Sequence, residues 1–369
     1  MTRCLPIFLL LILFACKSDD DTPPEETPTC PTQAFSGPRN FKMGFTTWPY
    51  AATFEAIDST YAFIGRNADL VAEHLDESIP WSAWINGTPL PDDFVNGIAY
   101  KASLRPPGHE LLLSVSLLNI DRSDLMDDID GEVPAHTALN DAHIEDAYFL
   151  HVSYLVEAFD PDYLVLAIEC NQLYRRAPEK WPAYKSLMAN IRARVQEAFP
   201  GIPLSESFTL HDWVIPKPGS PDDFIEEIAA YGDNFDFAAI SFYPFLEGFS
   251  TQMDYDFAFD FLYDHVSRPI AFVETAHPTD PVVIPGLGVN IPIGPCEQEA
   301  YLGTLLREAQ AHEFLFVNWW CFADYNALFE LFPPETQDLG LIWINTGLIN
   351  ENGVEKRALQ TWRAALEAI

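Results

Sequence analysis

Short apolar runs recur along the chain from Phe41 onward. Each is followed by a polar or aromatic loop and then by a stretch whose apolar residues step by three or four. The runs are Phe41–Tyr50, Ala68–Asp76, Glu110–Asn119, Tyr163–Ile168, Ile202–Asp212, Phe235–Phe245, Pro269–Val273 and Phe314–Asp324. Helical periodicity predicts helices over Asn140–Phe159, Trp181–Phe199, Asp254–Ser267 and Gln298–Ala311, and in an amphipathic C-terminal segment. Pro200-Gly201 supplies a stop signal, and Pro221-Asp222-Asp223 opens a further helix with acids in its first turn, favourable against the helix dipole. Pro278–Pro295, rich in Pro and Gly, reads as a long loop. Eight strands alternating with helices imply parallel pairing, because each connection is long enough for a crossover helix. The predicted fold is α/β, a single-domain (β/α)8 TIM barrel. A doubly wound open sheet is the alternative, and the lack of a glycine-rich phosphate loop after the first strand speaks against it.

The N-terminus adds a feature outside that pattern. Met1–Arg3 carry a positive charge, and the apolar run Leu5–Ala15 is too short to span a bilayer as a mature helix. It ends Leu13-Phe14-Ala15-Cys16, which resembles the lipobox of bacterial lipoproteins. The resemblance implies cleavage before Cys16 and lipid attachment there. Residues 1–15 are then a signal peptide, residues 16–34 an acidic, Pro-rich tether that cannot form a core, and residues 35–369 the catalytic domain. An ordinary secretory peptide with a chance cysteine is the alternative. The expected location is extracytoplasmic, lipid-anchored to a bacterial membrane.

Acidic residues outnumber basic ones 55 to 20, a formal net charge of −35. Such a surface repels nucleic acid and anionic lipid, which counts against both as binding partners; a monomer is expected. Of the six cysteines, Cys4 leaves with the signal and Cys16 is the lipid site, so Cys30, Cys170, Cys296 and Cys321 remain where disulfides can form. Their spacing deduces no pairing and matches no zinc pattern. No cluster of His, Asp and Glu has metal-ligand spacing, so no catalytic metal and no cofactor are expected.

Two runs stop abruptly on a carboxylate. Tyr163–Ile168 ends at Glu169, and Pro269–Val273 ends at Glu274. As the fourth and seventh strands of a barrel they would deliver both acids to one C-terminal face. Two carboxyls across a cleft are what glycosidic cleavage needs: one donates a proton to the leaving oxygen, and the other, ionised, attacks or activates water. Pairing with Arg or capping a helix is the bland alternative for either acid.

These strand-end acids, with FYP on the sixth strand and WW on the eighth, resemble clan A of the glycoside hydrolases over essentially the whole mature domain. VETAHP, Val273–Pro278, and FDFAAISFYPF, Phe235–Phe245, look most like family 53, the endo-β-1,4-galactanases. The resemblance implies a retaining mechanism on a β-linked glycan, with Glu274 as nucleophile and Glu169 as acid and then base. It also implies that Tyr243 hydrogen-bonds the nucleophile. The clan has Asn immediately before the acid/base; here Ile168 stands there, and Asn171 is the nearest substitute for contact with the sugar. The second strand carries His74 where many members have Arg. These departures keep open a non-catalytic carbohydrate-binding lipoprotein on the same barrel.

Other residues are candidates for the sugar surface. Trp48 and Trp81 lie on loops after the first two strands, where an indole face can stack on a pyranose. Trp319 and Trp320 point to opposite faces of a regular strand, and the assigned register turns Trp319 inward. His211 and His277 are strand-end groups able to contact hydroxyls. Core packing explains any of these singly.

Overall fold

A computed structural model describes residue 30, residues 35–131, residue 136 and residues 138–368. The expected signal peptide and lipidation site, residues 1–16, lie outside the described residues, as does nearly all of the expected tether. Among the described residues the eleven strands are β1 (Lys42–Thr46), β2 (Leu70–Leu75), β3 (Glu110–Val115), β4 (Tyr163–Val165), β5 (Leu204–Ser205), β6 (Ser207–Thr209), β7 (Ala238–Phe242), β8 (Ile270–Thr275), β9 (Val282–Ile284), β10 (Val289–Ile291) and β11 (Phe316–Trp319). Nine of them form one parallel sheet in the order β5-β4-β3-β2-β1-β11-β8-β7-β6. Its two edge strands, β5 and β6, are separated in the chain by Glu206 alone. They are halves of one barrel strand, and the backbone past β4 bonds both: Leu166 N donates to Ser205 O, and Ser207 N to Ala167 O. The sheet is thus rolled into the predicted (β/α)8 barrel, its fifth strand broken once.

Strand alternation sorts side chains into two cores. Leu70, Ala72, Leu112, Val165, Phe237, Ala239, Ala271, Val273 and Phe316 fill the barrel interior. Their neighbours Val71, Leu111, Leu113, Leu164, Ile240, Phe272 and Val317 face the helices in the larger outer cluster. Gly44 is required where β1 crosses β2, since a Cβ there would lie 2.5 Å from Leu70 Cδ2 and 2.9 Å from Leu70 O. The helix Arg357–Leu366 buries Ala358, Leu359, Trp362 and Ala365, a stripe at helical spacing. Trp362 packs on Phe45 and donates its indole N–H to Asn67 O at 2.7 Å, closing the last helix over β1.

One feature departs from the sequence expectation, and another settles a pairing that it left open. The Pro278–Pro295 loop holds a hairpin, with β9 and β10 antiparallel across the short turn Pro285–Leu287; three-residue apolar runs are too short to stand out beside so much Pro and Gly. Cys30, within the expected tether, is bonded to Cys296 across a sequence separation of 266, fastening that segment to the helix Pro295–Ala311, while Cys170 and Cys321 are free and buried.

Glu206, at the strand break, turns into the helix layer and accepts hydrogen bonds from Tyr184 and Tyr231. Burial pushes its carboxyl up to about 7, against the opposing effect of the two phenols. A folded-state value above the unfolded one contributes stability that is full below about 4.5 and is lost as pH rises through about 7. The domain should therefore lose about 3 kcal/mol of unfolding free energy across that window from this group. Glu206→Gln should flatten the slope, as read by urea denaturation at several pH values; an unchanged slope would show that Glu206 does not carry it.

Candidate active site

Above the apolar floor of the barrel, the inward positions change to polar residues at the strand ends. In β8 the alternation is deliberately out of step. Ser241 pairs with Glu274 while Ile240 pairs with Phe272, and on the other side Trp319 pairs with Thr275 while Val317 pairs with Phe272. Thus β8 carries one residue more than either neighbour, a bulge at Val273–Glu274. Ala271 and Val273 already point into the barrel, so strict alternation would send Glu274 into the helix layer. That is where Glu73 goes in β2, bonded by Tyr61 and by Thr47 Oγ1. The bulge restores Glu274 to the inward phase opposite Ser241, and Thr275 turns outward to Phe242 O and Tyr301.

Glu169 is aimed by a different device. Its φ is 54°, left-handed backbone that costs a non-glycine residue roughly 1–2 kcal/mol. Its N–H bonds Ser207 Oγ at 2.7 Å, and its Oε1 accepts from Ser241 Oγ at 2.8 Å. Arg122, in the loop after β3, also has a left-handed φ of 53° and brings its Nε to 3.4 Å from Glu169 Oε2. Asp76, just beyond β2, holds that guanidinium through both terminal nitrogens, at 3.0 and 2.5 Å. Two residues in strained backbone are therefore ion-pair partners, which is where strain tends to collect when side chains must be presented precisely to a site.

Glu274 accepts a hydrogen bond from Tyr243, and His74 Nδ1 stands 3.8 Å from its other oxygen. Burial, and then the charge of Glu169, hold the Glu274 carboxyl well above the usual carboxylate range; Tyr243 and Arg122 pull the other way. Burial lowers His74 to about 4, so it is neutral at pH 7 and is not an ion-pair partner. Burial would raise Asp76, but the guanidinium of Arg122 more than offsets it and keeps Asp76 ionised. Of the two carboxyls, Glu274 is the one whose protonated form its surroundings favour.

The sequence candidates separate into two groups. Glu169, Glu274, Tyr243 and His74 come together at the barrel mouth, with Trp48 on the wall, its ring 5.4 Å from Trp320. His211 lies beside them, buried, its ring 6.5 Å from that of Tyr243, and burial lowers its pKa. The others turn away. Asn171 does not face the sugar surface: both ends of its amide are bound to the backbone of Thr209, at 2.8 and 3.1 Å. Trp81 is fully buried, donates to Met126 O and packs on Tyr148. His277 is fully buried against Phe245 and Tyr301.

The assignment of Trp319 to the cleft is reversed. With Phe316 inside, alternation puts Asn318 inside and Trp319 outside, where it is fully buried and donates to Thr346 O at 2.9 Å. Trp320 is the inward residue, half-buried, edge-on to His74 at 5.1 Å. The error was one residue of register, and the outer-core neighbour Val317 carries the signal that resolves it. Trp320→Ala should lower kcat/KM with little loss of stability, whereas Trp319→Ala should cost about 3–5 kcal/mol of stability. Thermal melts beside kinetics distinguish the two, and the reverse pattern would overturn the register.

Asp76, Arg122, Ser207 and Ser241 were missed by sequence reasoning. Ser207 and Ser241 continue the inward phase of their strands and could have been found by extending the alternation. Asp76 and Arg122 meet only in space, 46 residues apart in the chain.

No protein-family model and no curated protein matches the chain. Solved structures do match. A GH5_18 protein from Bifidobacterium longum subsp. longum, in complex with Manβ1-4GlcNAc, superposes with a TM-score of 0.63 at 18% identity, covering 89% of this chain and 78% of that one. The GH53 catalytic domain of Ignisphaera aggregans gives 0.58 at 16%, covering 91% and 99%. A fungal β-1,4-galactanase gives 0.58 at 13%, covering 87% and 98%. The structural neighbours are thus glycoside hydrolases of families 5 and 53, and at these identities the shared property is the (β/α)8 fold.

Proposed function

We propose that the protein is a retaining glycoside hydrolase acting on a β-1,4-linked polysaccharide or oligosaccharide. The observation that carries this reading is the convergence of Glu169 and Glu274 on Ser241, whose hydroxyl bonds one while its backbone pairs with the other. Glu274, bonded by Tyr243, attacks the anomeric carbon, and Glu169 protonates the leaving oxygen and then activates water. Attack requires Glu274 ionised, against the burial and the Glu169 charge that hold its carboxyl above the usual range. The β-1,4 linkage is suggested by the ligand of the Bifidobacterium protein and by the name of the fungal galactanases. Cys16 is proposed to anchor the domain to an extracytoplasmic membrane face through lipid.

A second reading, a non-catalytic carbohydrate-binding lipoprotein, is favoured by one observation. Ile168 is buried where the clan has its Asn, and Asn171 is locked to Thr209, so neither supplies an amide to the sugar 2-hydroxyl. Incubation with β-1,4-mannan, galactan and their oligosaccharides, followed by proton NMR of the first product, tests both. A β-anomer appearing first supports the retaining hydrolase and an α-anomer contradicts it. Calorimetric binding with no product supports the second reading.

A further inference from the structure

The long loop between β3 and the helix Ala142–Phe159 ends in a group the active-site chemistry does not use. His136 Nδ1 lies 3.2 Å from one oxygen of Asp141, and His143 Nδ1 lies 3.0 Å from the other. The two imidazoles are stacked, centroids 4.2 Å apart and planes at 16°. Ligand atoms of all three residues lie within 4.8 Å of one another. Asp141 is also the cap of the helix, accepting the backbone N–H of His143 at 2.8 Å. No metal-ligand spacing was visible in His-x4-Asp-x-His, because the turn before the helix, not helical periodicity, brings His136 back onto Asp141.

We propose that His136, Asp141 and His143 form a binding site for a divalent transition-metal ion of the zinc type. Two imidazole nitrogens and one carboxylate suit zinc, nickel or copper, whereas calcium and magnesium prefer oxygen donors throughout. Water completes the coordination, since the His143 side chain is 61% exposed. A metal lies in the plane of each ring that binds it, so binding turns at least one imidazole out of the stack, and the exposed His143 has room to turn. Each Nδ1 that now faces the carboxylate gives its hydrogen to Nε2, the other tautomer of neutral imidazole, and offers its lone pair to the ion. The site would staple the end of the loop that carries Arg122 to the helix that follows it.

The test is calorimetric titration of the full protein with zinc chloride at neutral pH, with calcium chloride as the contrast. His136→Gln and His143→Gln leave Asp141 in place as the helix cap. The expected result is one tight equivalent of zinc that weakens at least about tenfold in either variant, because even outer-sphere changes cost 10–100-fold in affinity. Cobalt substituted for zinc should show visible bands that both variants lose. Zinc uptake unchanged in both variants, no equivalent above weak surface binding, or calcium bound equally tightly at the same residues would each overturn the proposal.

Discussion

Glu274→Ala should abolish hydrolysis, lowering kcat by a factor on the order of 10⁴–10⁶, as expected when a covalent nucleophile is removed. Glu274→Gln, nearly isosteric, should be equally inactive while keeping the Tyr243 contact, which separates chemistry from folding. The two acids are then distinguished by added azide. In Glu274→Ala the anion enters from the face the nucleophile left, so a β-linked substrate with an activated leaving group gives an α-glycosyl azide. In Glu169→Ala azide instead intercepts the glycosyl-enzyme from the opposite face and gives the β-azide. Full turnover in Glu274→Ala, or the same anomer from both variants, would sink the assigned roles. The Gln variant should also be more stable than the parent at high pH, because burial and Glu169 disfavour an ionised Glu274.

Arg122→Gln is expected to have the next largest effect, on the order of 10²-fold in kcat, the usual cost of a misplaced catalytic group. Its Nε faces Glu169 and its two terminal nitrogens are held by Asp76, so its loss frees both. The pH profile gives a readout that a purely structural role would not move. Arg122 opposes the rise in the Glu274 pKa that burial and Glu169 cause. Without it that value rises further, and since Glu274 must be ionised to attack, the acidic limb of kcat/KM shifts to higher pH. In the parent this limb already lies well above pH 4.5. Asp76 becomes an unpaired, partly buried charge in the variant, which should cost up to about 3 kcal/mol of stability. The Asp76→Asn, Arg122→Gln double variant should recover that stability and not the activity. A double variant as active as the parent would make Arg122 a fold residue only.

Arg122 is the guanidinium beside Glu169. The second strand carries His74, which burial keeps neutral. The guanidinium comes from the loop after β3, not from the strand itself. Position in the chain did not reveal this, because a loop residue has no periodicity to place it, and its backbone conformation is one that propensity disfavours.

The barrel was legible because its causes are local. Apolar runs of strand length, separated by helical periods, leave parallel pairing as the only way to bury both faces of each strand. The carboxylates at Glu169 and Glu274 were legible as chain positions for the same reason: each ends a buried run. Their orientation was not. Counting inward from Ala271 and Val273 would have turned Glu274 away, and only the pairing of β8 with β7 and β11 reveals the extra residue that turns it back. Trp319 and Trp320 show the same limit, since a one-residue change of register exchanges the cleft for the core. Alternation is thus a property of the strand, and its phase at the active end is a property of the sheet. The sequence by itself determined the eight-fold alternation and which strands end in acid. The tertiary structure decided which way those ends face, because a bulge, a left-handed residue and a distant arginine act only through neighbours.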